Sequence, residues 1–568
     1  MNPASRRWHF NDVQPLPGYH PVVGAVLAAR GHDNQSASAF MQRDGLLHDP
    51  LLLPGMPDAV RTVSAAVNNG ERIAVYGDYD ADGVTACAML VRAFRNRGVD
   101  CVPYIPNRMT EGYGLHGAAL AELGECGVSC VITVDCGTSS VDVAQGRPSG
   151  MRLVVTDHHL PAAPDGEPRL APADALVNPK LEGSLYPFDG LAGAGVAFKL
   201  VQALEKEGVL DSGAAAAALP LAALGTIADL MPLRGENRAI VQRGMAELSN
   251  VPGVRALCEC AALPLALRAS DVAFGVGPRI NAAGRMEDAK LALDLCLADD
   301  PAAAHDLALQ LDGQNRRRQL AVVEALAEAE EQVAMLDDDA AAIVVGAEHW
   351  PMGVVGLVAG RLVERYARPA FAVSLDPGEA KGSARSVPGV HIVRALDGAA
   401  STLIRYGGHV AAAGFSLQAQ RFEEFRRAVE AAVAEQLDGA PRQRTFEVDA
   451  VLTASESTPV LCRELEALEP CGQGNPSPLL ALRDARVLTT SAFGAERQHL
   501  RIVLGGADGV LEAIAFHKPG LEQHLPRGRR IDACFSVEMD SWQGQDRVRA
   551  RLRDLRPAEA AAPVALAG

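Results

Sequence analysis

The stretch Arg72-Ile73-Ala74-Val75-Tyr76-Gly77-Asp78-Tyr79-Asp80-Ala81-Asp82-Gly83 decides the fold. It opens as a β-rich run and then carries three carboxylates within five residues. Residues 84–97 follow with an apolar helical face at Ala88, Val91 and Phe94. Further β-rich runs lie at 101–105, 130–134 and 152–156, and a helical stretch at 117–123. Strands alternating with helices make residues 71–229 an open, doubly wound α/β domain with a parallel sheet.

Ligands of such sheets bind beyond the carboxyl ends of the strands. Two later runs end in the same chemistry as the first: 131–134 leads into Asp135, and 153–156 into Asp157-His158-His159. Asp80, Asp82, Asp135 and His158 are therefore expected to meet in one crevice. A solvated acidic turn is the plainer reading of the first stretch taken alone. Adjacent carboxylates repel, however, and divalent cations with oxygen ligands offset that repulsion. Asp229 closes an otherwise apolar helix in Gly225-Thr226-Ile227-Ala228-Asp229, where a carboxylate opposes the helix dipole and so calls for another purpose. Asp and His ligands without cysteine select Mn²⁺ or Mg²⁺ over structural zinc. Two such ions sharing one carboxylate suit the hydrolysis of phosphate esters, and the residues by themselves predict a two-metal phosphohydrolase.

Outside this domain the 568 residues leave room for two or three more. Beyond Asn281 the pattern turns helical, and 300–336 reads as a connecting helical segment between two lobes. A second α/β segment opens with a strand at 342–345 and ends in a helix at 422–435. After Arg444, strands at 445–451, 499–504, 511–516 and 531–538 suit a small Greek-key barrel of the kind that binds single-stranded nucleic acid. The Ala-rich tail after Pro557 is expected to fray. A net charge of −17 argues against coating nucleic acid or membrane by bulk electrostatics, leaving a local basic groove open. No secretory signal and no apolar run near the roughly 20 residues of a membrane span is found, so a cytoplasmic protein is expected. Eleven cysteines lack paired zinc spacing and read as reduced core thiols, with a zinc site second.

Asp80-x-Asp82, Asp135-Cys136-Gly137, Asp157-His158-His159 and Gly225 to Asp229 resemble the four successive motifs of the DHH phosphoesterase superfamily. The first motif, Gly77-Asp78-Tyr79-Asp80-Ala81-Asp82-Gly83, is similar to that of the RecJ family, bacterial single-strand-specific 5′-to-3′ exonucleases. The resemblance continues through Asn107-Arg108, Glu111 to Gly114, Pro278 to Arg285, Gly407-Gly408-His409 and Ala412-Ala413-Gly414. It implies a DHH domain at 61–290 after an N-terminal extension (1–60), a connecting helix at 291–338, a DHHA1 domain at 339–438, and an OB-fold β-barrel with tail at 439–568. It implies further that Asp78, Asp80, Asp82, Asp135, His158 and Asp229 hold two Mn²⁺ or Mg²⁺ ions, Asp135 bridging. His159 would contact the scissile phosphate, and Asp157 would orient the neighbouring imidazole.

Phosphate contacts are expected from Arg279, from Ser383 and Arg385 in a loop, and from the Gly407-Gly408-His409 turn, with Tyr113 available to stack on a base. Cys471 stands where RecJ sequences generally have Phe, and Arg497, Arg501, Arg547, Arg549 and Arg551 give the barrel local positive charge. Family membership implies a monomer in recombinational and mismatch repair, working on single-stranded DNA with single-strand-binding protein behind a RecQ-type helicase. A DHH phosphodiesterase on short oligoribonucleotides or cyclic dinucleotides is the alternative, and a non-catalytic replication scaffold the third reading.

Overall fold

The computed structural model describes every residue except 1–4, 43, 44, 109, 164, 165, 438–442, 543, 544 and 559–568. The chain forms two compact units, one made chiefly of His48–Met231 and Arg243–Arg444, the other of Arg7–Leu47, Pro232–Gln242 and Thr445–Gly568.

The first lobe of the larger unit is built on strands β1 (Arg72–Tyr76), β2 (Cys101–Tyr104), β3 (Val128–Val134), β4 (Arg152–Thr156) and β5 (Ala175–Val177). All are parallel, in the order β2-β1-β3-β4-β5. The central strands are buried almost throughout, which is why they read as continuous apolar runs rather than alternating ones. Helices α1 (Ala81–Asn96), α2 (Gly193–Lys206) and α3 (Ala214–Ala228) pack on one another beside the sheet. The chain runs outward from β1 to β2 and then returns to β3 on the other side of β1. The carboxyl ends of β1 and β3 therefore flank the point where the strand order reverses, where open sheets bind ligands.

Helix α4 (Gly277–Met286) leads toward α5 (Pro301–Ala334), the connecting element, a single 34-residue helix about 50 Å long. Asp300 caps it by accepting the Ala303 N–H at 3.0 Å. Its early turns bury Leu311, Asp312 and Asn315, and its last turns pack Ala325, Ala329 and Val333 into the core of the second lobe. That lobe holds β6 (Ile343–Ala347), β7 (Ala370–Ser374), β8 (Glu379–Arg385), β9 (Leu403–Gly408) and β10 (Ala412–Gln418) in the order β9-β10-β8-β7-β6. Ser383 and Arg385, expected in a loop, lie on β8. Small residues and glycine weaken the strand signal there, but pairing to both β7 and β10 imposes it.

In the second unit, β11 (Leu480–Phe493), β12 (His499–Gly505), β13 (Val510–Ala515), β14 (Arg530–Trp542) and β15 (Gln545–Pro557) close into a five-stranded barrel, because β11 pairs with both β12 and β14. The expected strand at 445–451 divides into Gln443–Val448, paired with Ser5–Phe10, and the two-residue Ala450–Val451 beside β11. Residues 7–47, read as part of an N-terminal extension, belong to this unit. Val22, Val23, Val26 and Leu27 lie in the barrel's core cluster, and Trp8 donates from Nε1 to Asp554 at 2.8 Å. The tail expected to fray falls outside the described residues from 559 onward. The cysteines are free thiols and most are buried, but Cys126 is exposed, correcting the expectation of core thiols throughout. Among the described residues no helix is long and apolar enough to cross a membrane.

Candidate active site

The acidic loop after β1 is shaped by α1. Asp80 is its N-cap, Oδ1 accepting the N–H groups of Asp82 at 2.9 Å and Gly83 at 3.2 Å. Asp82, in the first turn and fully buried, accepts the N–H groups of Gly193 at 2.7 Å and Ala194 at 2.8 Å. The positive end of α2 thus cradles its carboxylate. Glycine is required at 193, because a Cβ there would come within 2.5 Å of the Asp135 side chain. Asp135 follows β3 with φ at 62°, a left-handed conformation that costs a non-glycine residue and recurs at functional sites. Asp229 is the C-cap of α3.

These side chains meet as the sequence predicts for Asp80, Asp82, Asp135 and His158. Asp78, Asp80 and Asp135 bring ligand atoms within 4.8 Å of one another, as do Asp82, His158 and Asp229, and Asp135, His158 and His159. His158 Nε2 lies 3.2 Å from Asp135 Oδ1, 3.7 Å from Asp229 Oδ2 and 3.9 Å from Asp82 Oδ2. Among these buried atoms, Asp78 Oδ1, Asp135 Oδ1 and both ring nitrogens of His158 have no hydrogen-bond partner. Burial, followed by the surrounding carboxylates, pushes Asp78 and Asp135 well above the usual range, Asp82 to about 7 and Asp229 to about 9. Burial lowers His158 to about 3, keeping its imidazole neutral. A neutral imidazole among crowded carboxylates with unsatisfied oxygens is the donor set that oxygen-seeking divalent cations take.

Asp157, at the end of β4, turns away from this cluster. Its Oδ1 accepts from the His159 ring at 2.8 Å and from the His158 N–H at 2.7 Å, while Oδ2 accepts the Thr138 N–H at 3.0 Å. Tyr113 is half-exposed and packs edge-on against the His159 ring, its hydroxyl 3.1 Å from His159 Nδ1 and 3.3 Å from the Asp135 carbonyl.

Cations come from both lobes, Arg385 from β8 of the second and Arg108 and Arg285 from chain that precedes α5. Arg385 donates to Ser383 Oγ at 3.0 Å and to the Ala384 carbonyl at 2.8 Å. Arg108 lies over the Tyr79 ring, 5.0 Å from its centroid. Burial and the nearby charges of Arg108, Arg318 and Arg385 lower Arg285 to about 10, with Asp80 acting in the opposite sense. Arg108, Arg285 and Arg385 are therefore like charges drawn together beside the acidic loop, as an anion site requires. Sequence reasoning misses Arg108 and Arg285 as individual contacts, although both stand inside stretches that carry the family resemblance. Arg279 is tied elsewhere, to Asp312 of α5 at 2.9 Å and the Gly275 carbonyl at 2.8 Å. Gly407 and Gly408 end β9. A Cβ at 408 would come 2.4 Å from the Ala412 carbonyl, and the exposed His409 donates its N–H to that same carbonyl at 2.8 Å.

In the barrel unit, the loop bearing Cys471 is held from beneath by Arg238, which donates to the carbonyls of Leu468, Glu469 and Pro470. Arg501 pairs with Glu512 at 3.3 Å, Arg497 lies 3.9 Å from Glu522, and Arg551 lies over Phe516. Arg547 and Arg549 line a groove of about 610 Å³ with Phe493 and Phe516.

Fold and site define a two-lobed DHH protein: residues 72–226 match the DHH family, N-terminal domain, and residues 339–435 the DHHA1 domain. Residues 448–554 match the RecJ OB domain. The chain is 34% identical over 567 residues to the single-stranded-DNA-specific exonuclease RecJ of Escherichia coli (strain K12), covering 95% of this chain and 96% of that protein. It is 34% identical over 547 residues to the corresponding RecJ of Bacillus subtilis (strain 168), covering 95% and 68%. The chain belongs to the RecJ family. The crystal structure of RecJ in complex with Mn²⁺ from Thermus thermophilus aligns with a TM-score of 0.82 at 33% identity, over 98% of this chain and 80% of that one. A Mg²⁺ complex of RecJ from the same organism aligns with a TM-score of 0.77.

Proposed function

We propose that this chain is a metal-dependent, single-stranded-DNA-specific exonuclease that digests 5′ to 3′ and releases 5′-mononucleotides. One observation carries the reading: buried carboxylates and a neutral histidine converge with their donor atoms unsatisfied at the strand-order reversal. Relatives named for this activity and RecJ structures with Mn²⁺ or Mg²⁺ support it. Asp78, Asp80, Asp82, Asp135, His158 and Asp229 would hold two such ions. Divalent ions there would acidify water and neutralise charge building up on phosphate oxygens.

The protein's own groups do the rest. With Nδ1 bound to Asp157, an ion-pairing contact that favours the protonated ring, the His159 imidazolium has its Nε2–H left to donate to a phosphate oxygen. Arg385, Ser383, Arg108 and Arg285 grip the phosphates, and the Gly407-Gly408-His409 turn admits the backbone of the strand closely. Tyr113 offers a ring to a base. Arg279, through Asp312, supports the helix that carries Arg285. The barrel gives the strand a further single-strand-binding surface. We further infer a cytoplasmic monomer that trims strands exposed by a RecQ-type helicase alongside single-strand-binding protein in recombinational and mismatch repair. The test follows 5′- and 3′-labelled single strands with Mn²⁺, beside matched duplex, EDTA and Asp80→Ala. Mononucleotide release from the 5′ end alone, lost in both controls, is expected. Survival of long DNA while short RNA or a cyclic dinucleotide is consumed would overturn the substrate.

A further inference from the structure

Three strands of the first sheet, β1, β3 and β4, deliver the groups described above at their carboxyl ends. A fourth, the edge strand β5, ends at Val177 and runs directly into Asn178-Pro179-Lys180. Nothing in the sequence motifs draws attention to this tripeptide, yet it lies on the same rim of the sheet.

Asn178 is fully buried, and every polar atom of its side chain is used. Its Nδ2 donates to the His159 carbonyl at 2.8 Å and to Thr138 Oγ1 at 3.0 Å, and its Oδ1 accepts the Lys180 N–H at 2.9 Å. Thr138 in turn donates its N–H to Asp157 Oδ2 at 3.0 Å, and Asp157 Oδ1 holds the His159 ring at 2.8 Å. The contacts close a circuit from the His159 imidazole through Asp157, Thr138 and Asn178 back to the His159 carbonyl. A buried network with each member satisfied is rigid and sets one geometry. One amide therefore fixes both the main chain of His159 and the turn that presents Lys180.

The Lys180 ammonium forms no ion pair with the described residues, although it stands near enough to Asp229, His158 and His409 that its charge acts on all three. A cation beside abundant carboxylates that pairs with none of them is available to an anion. We propose that the end of β5 completes the phosphate site: Lys180 contacts a phosphate oxygen of the bound strand, and Asn178 is the positioning residue for Lys180 and His159. This rests on the nuclease reading above.

The test measures binding of a 5′-phosphorylated, 3′-fluorescent oligothymidylate by anisotropy in EDTA across a salt series, and turnover with saturating Mn²⁺. Removing one phosphate contact from a single strand lowers the slope of log affinity against log salt by about 0.7. Lys180→Ala is expected to show that loss with kcat/KM at least tenfold lower, and Lys180→Arg to restore the slope. Asn178→Ala is expected to lower kcat roughly tenfold while calorimetric Mn²⁺ affinity stays within about twofold, as for groups acting through their neighbours. An unchanged salt slope in Lys180→Ala overturns the contact even if that variant is slow. Asn178→Ala at full kcat overturns the positioning role. A wild-type protein that neither binds nor degrades the strand overturns the nuclease reading itself, a result distinct from a wild type that works while Lys180→Ala matches it.

Discussion

Asp157 and His159 are locked together, Oδ1 to Nδ1 at 2.8 Å, inside a site whose other carboxylates face the opposite problem. Burial would raise Asp157, but the hydrogen bond and charge of His159 outweigh it and hold the acid at about 2. Burial likewise opposes protonation of His159, yet the bond to Asp157 wins and raises it. Asp157 is thus the buried carboxylate of this rim that stays ionised by partnership, and it fixes which imidazole nitrogen remains free. Asp157→Asn keeps the shape and removes the charge. Turnover at saturating Mn²⁺ is expected to fall roughly 10- to 100-fold, the usual cost of losing an orienting partner. Full turnover in that variant would mean His159 needs no orientation.

The proposed ligand set predicts two opposite effects of a single substitution. Asp135 is buried among Asp82, Asp80, Asp229 and Asp78, and all of them push its pKa upward. Asp135→Asn relieves that repulsion, so in EDTA the variant should melt above the wild type. Added Mn²⁺ should then stabilise the wild type, by about 2.7 kcal/mol at a hundredfold excess over Kd, and the variant far less. Scanning calorimetry with and without metal reads both effects. Equal Mn²⁺-induced shifts would remove Asp135 from the ligand set.

Arg385 and Arg279, both expected from the sequence to contact phosphate, should separate by assay. Arg385 rests on neutral partners, so Arg385→Ala should weaken strand binding about equally for all sequences and flatten its salt dependence. Arg279 serves Asp312, which is 4% exposed, so Arg279→Ala should cost about 2 kcal/mol in urea unfolding with a smaller change in salt slope. Interchanged phenotypes would reverse the assignment.

The site was legible where one stretch of chain carries its chemistry. The strand into Gly77 to Gly83 and the run into Asp157 to His159 announce themselves, and the position of Asp135 follows from the same sheet logic. Asn178 and Lys180 do not, because an Asn-Pro-Lys turn is ordinary until the fold sets it beside His159. Arg285 was equally hidden, its importance arising from Arg108 and Arg385, distant in sequence. In the barrel, the long strand β11 escaped notice because a register shift between Leu482 and Ala485 breaks its alternation, with Asp484 at φ 54°. The attachment of residues 7–47 to the barrel unit is a long-range event that no local pattern announces. Periodicity reports a residue's own element, not the element it packs against.

At the end of the first sheet remote from the site, Glu71 staples three strands by accepting from Arg152 of β4, from Ser129 of β3 at 2.5 Å, and from Asn69 at 3.0 Å. The Arg152 hydrogen bond, working against a burial penalty and aided by Ser129 and Asn69, holds Glu71 at about 2 against an ordinary 4.5. A carboxylate depressed in the folded state contributes its full stability above its unfolded pKa, and that contribution fades as pH falls through the folded value. The window therefore runs from about 4.5 down to about 2. Because the pair is partly exposed and screened by solvent, Glu71→Gln is expected to cost only about 1 kcal/mol at pH 7. Urea unfolding of both proteins at pH 7, 4 and 3 should show that difference shrinking steadily as the carboxylate of the unfolded wild type takes up its proton while the folded one is still ionised. kcat at pH 7 should be unaffected, since the staple sits at the amino ends of the strands and the chemistry at their carboxyl ends. A difference that persists undiminished at pH 3 would show that Glu71 stabilises the sheet through its shape rather than its charge.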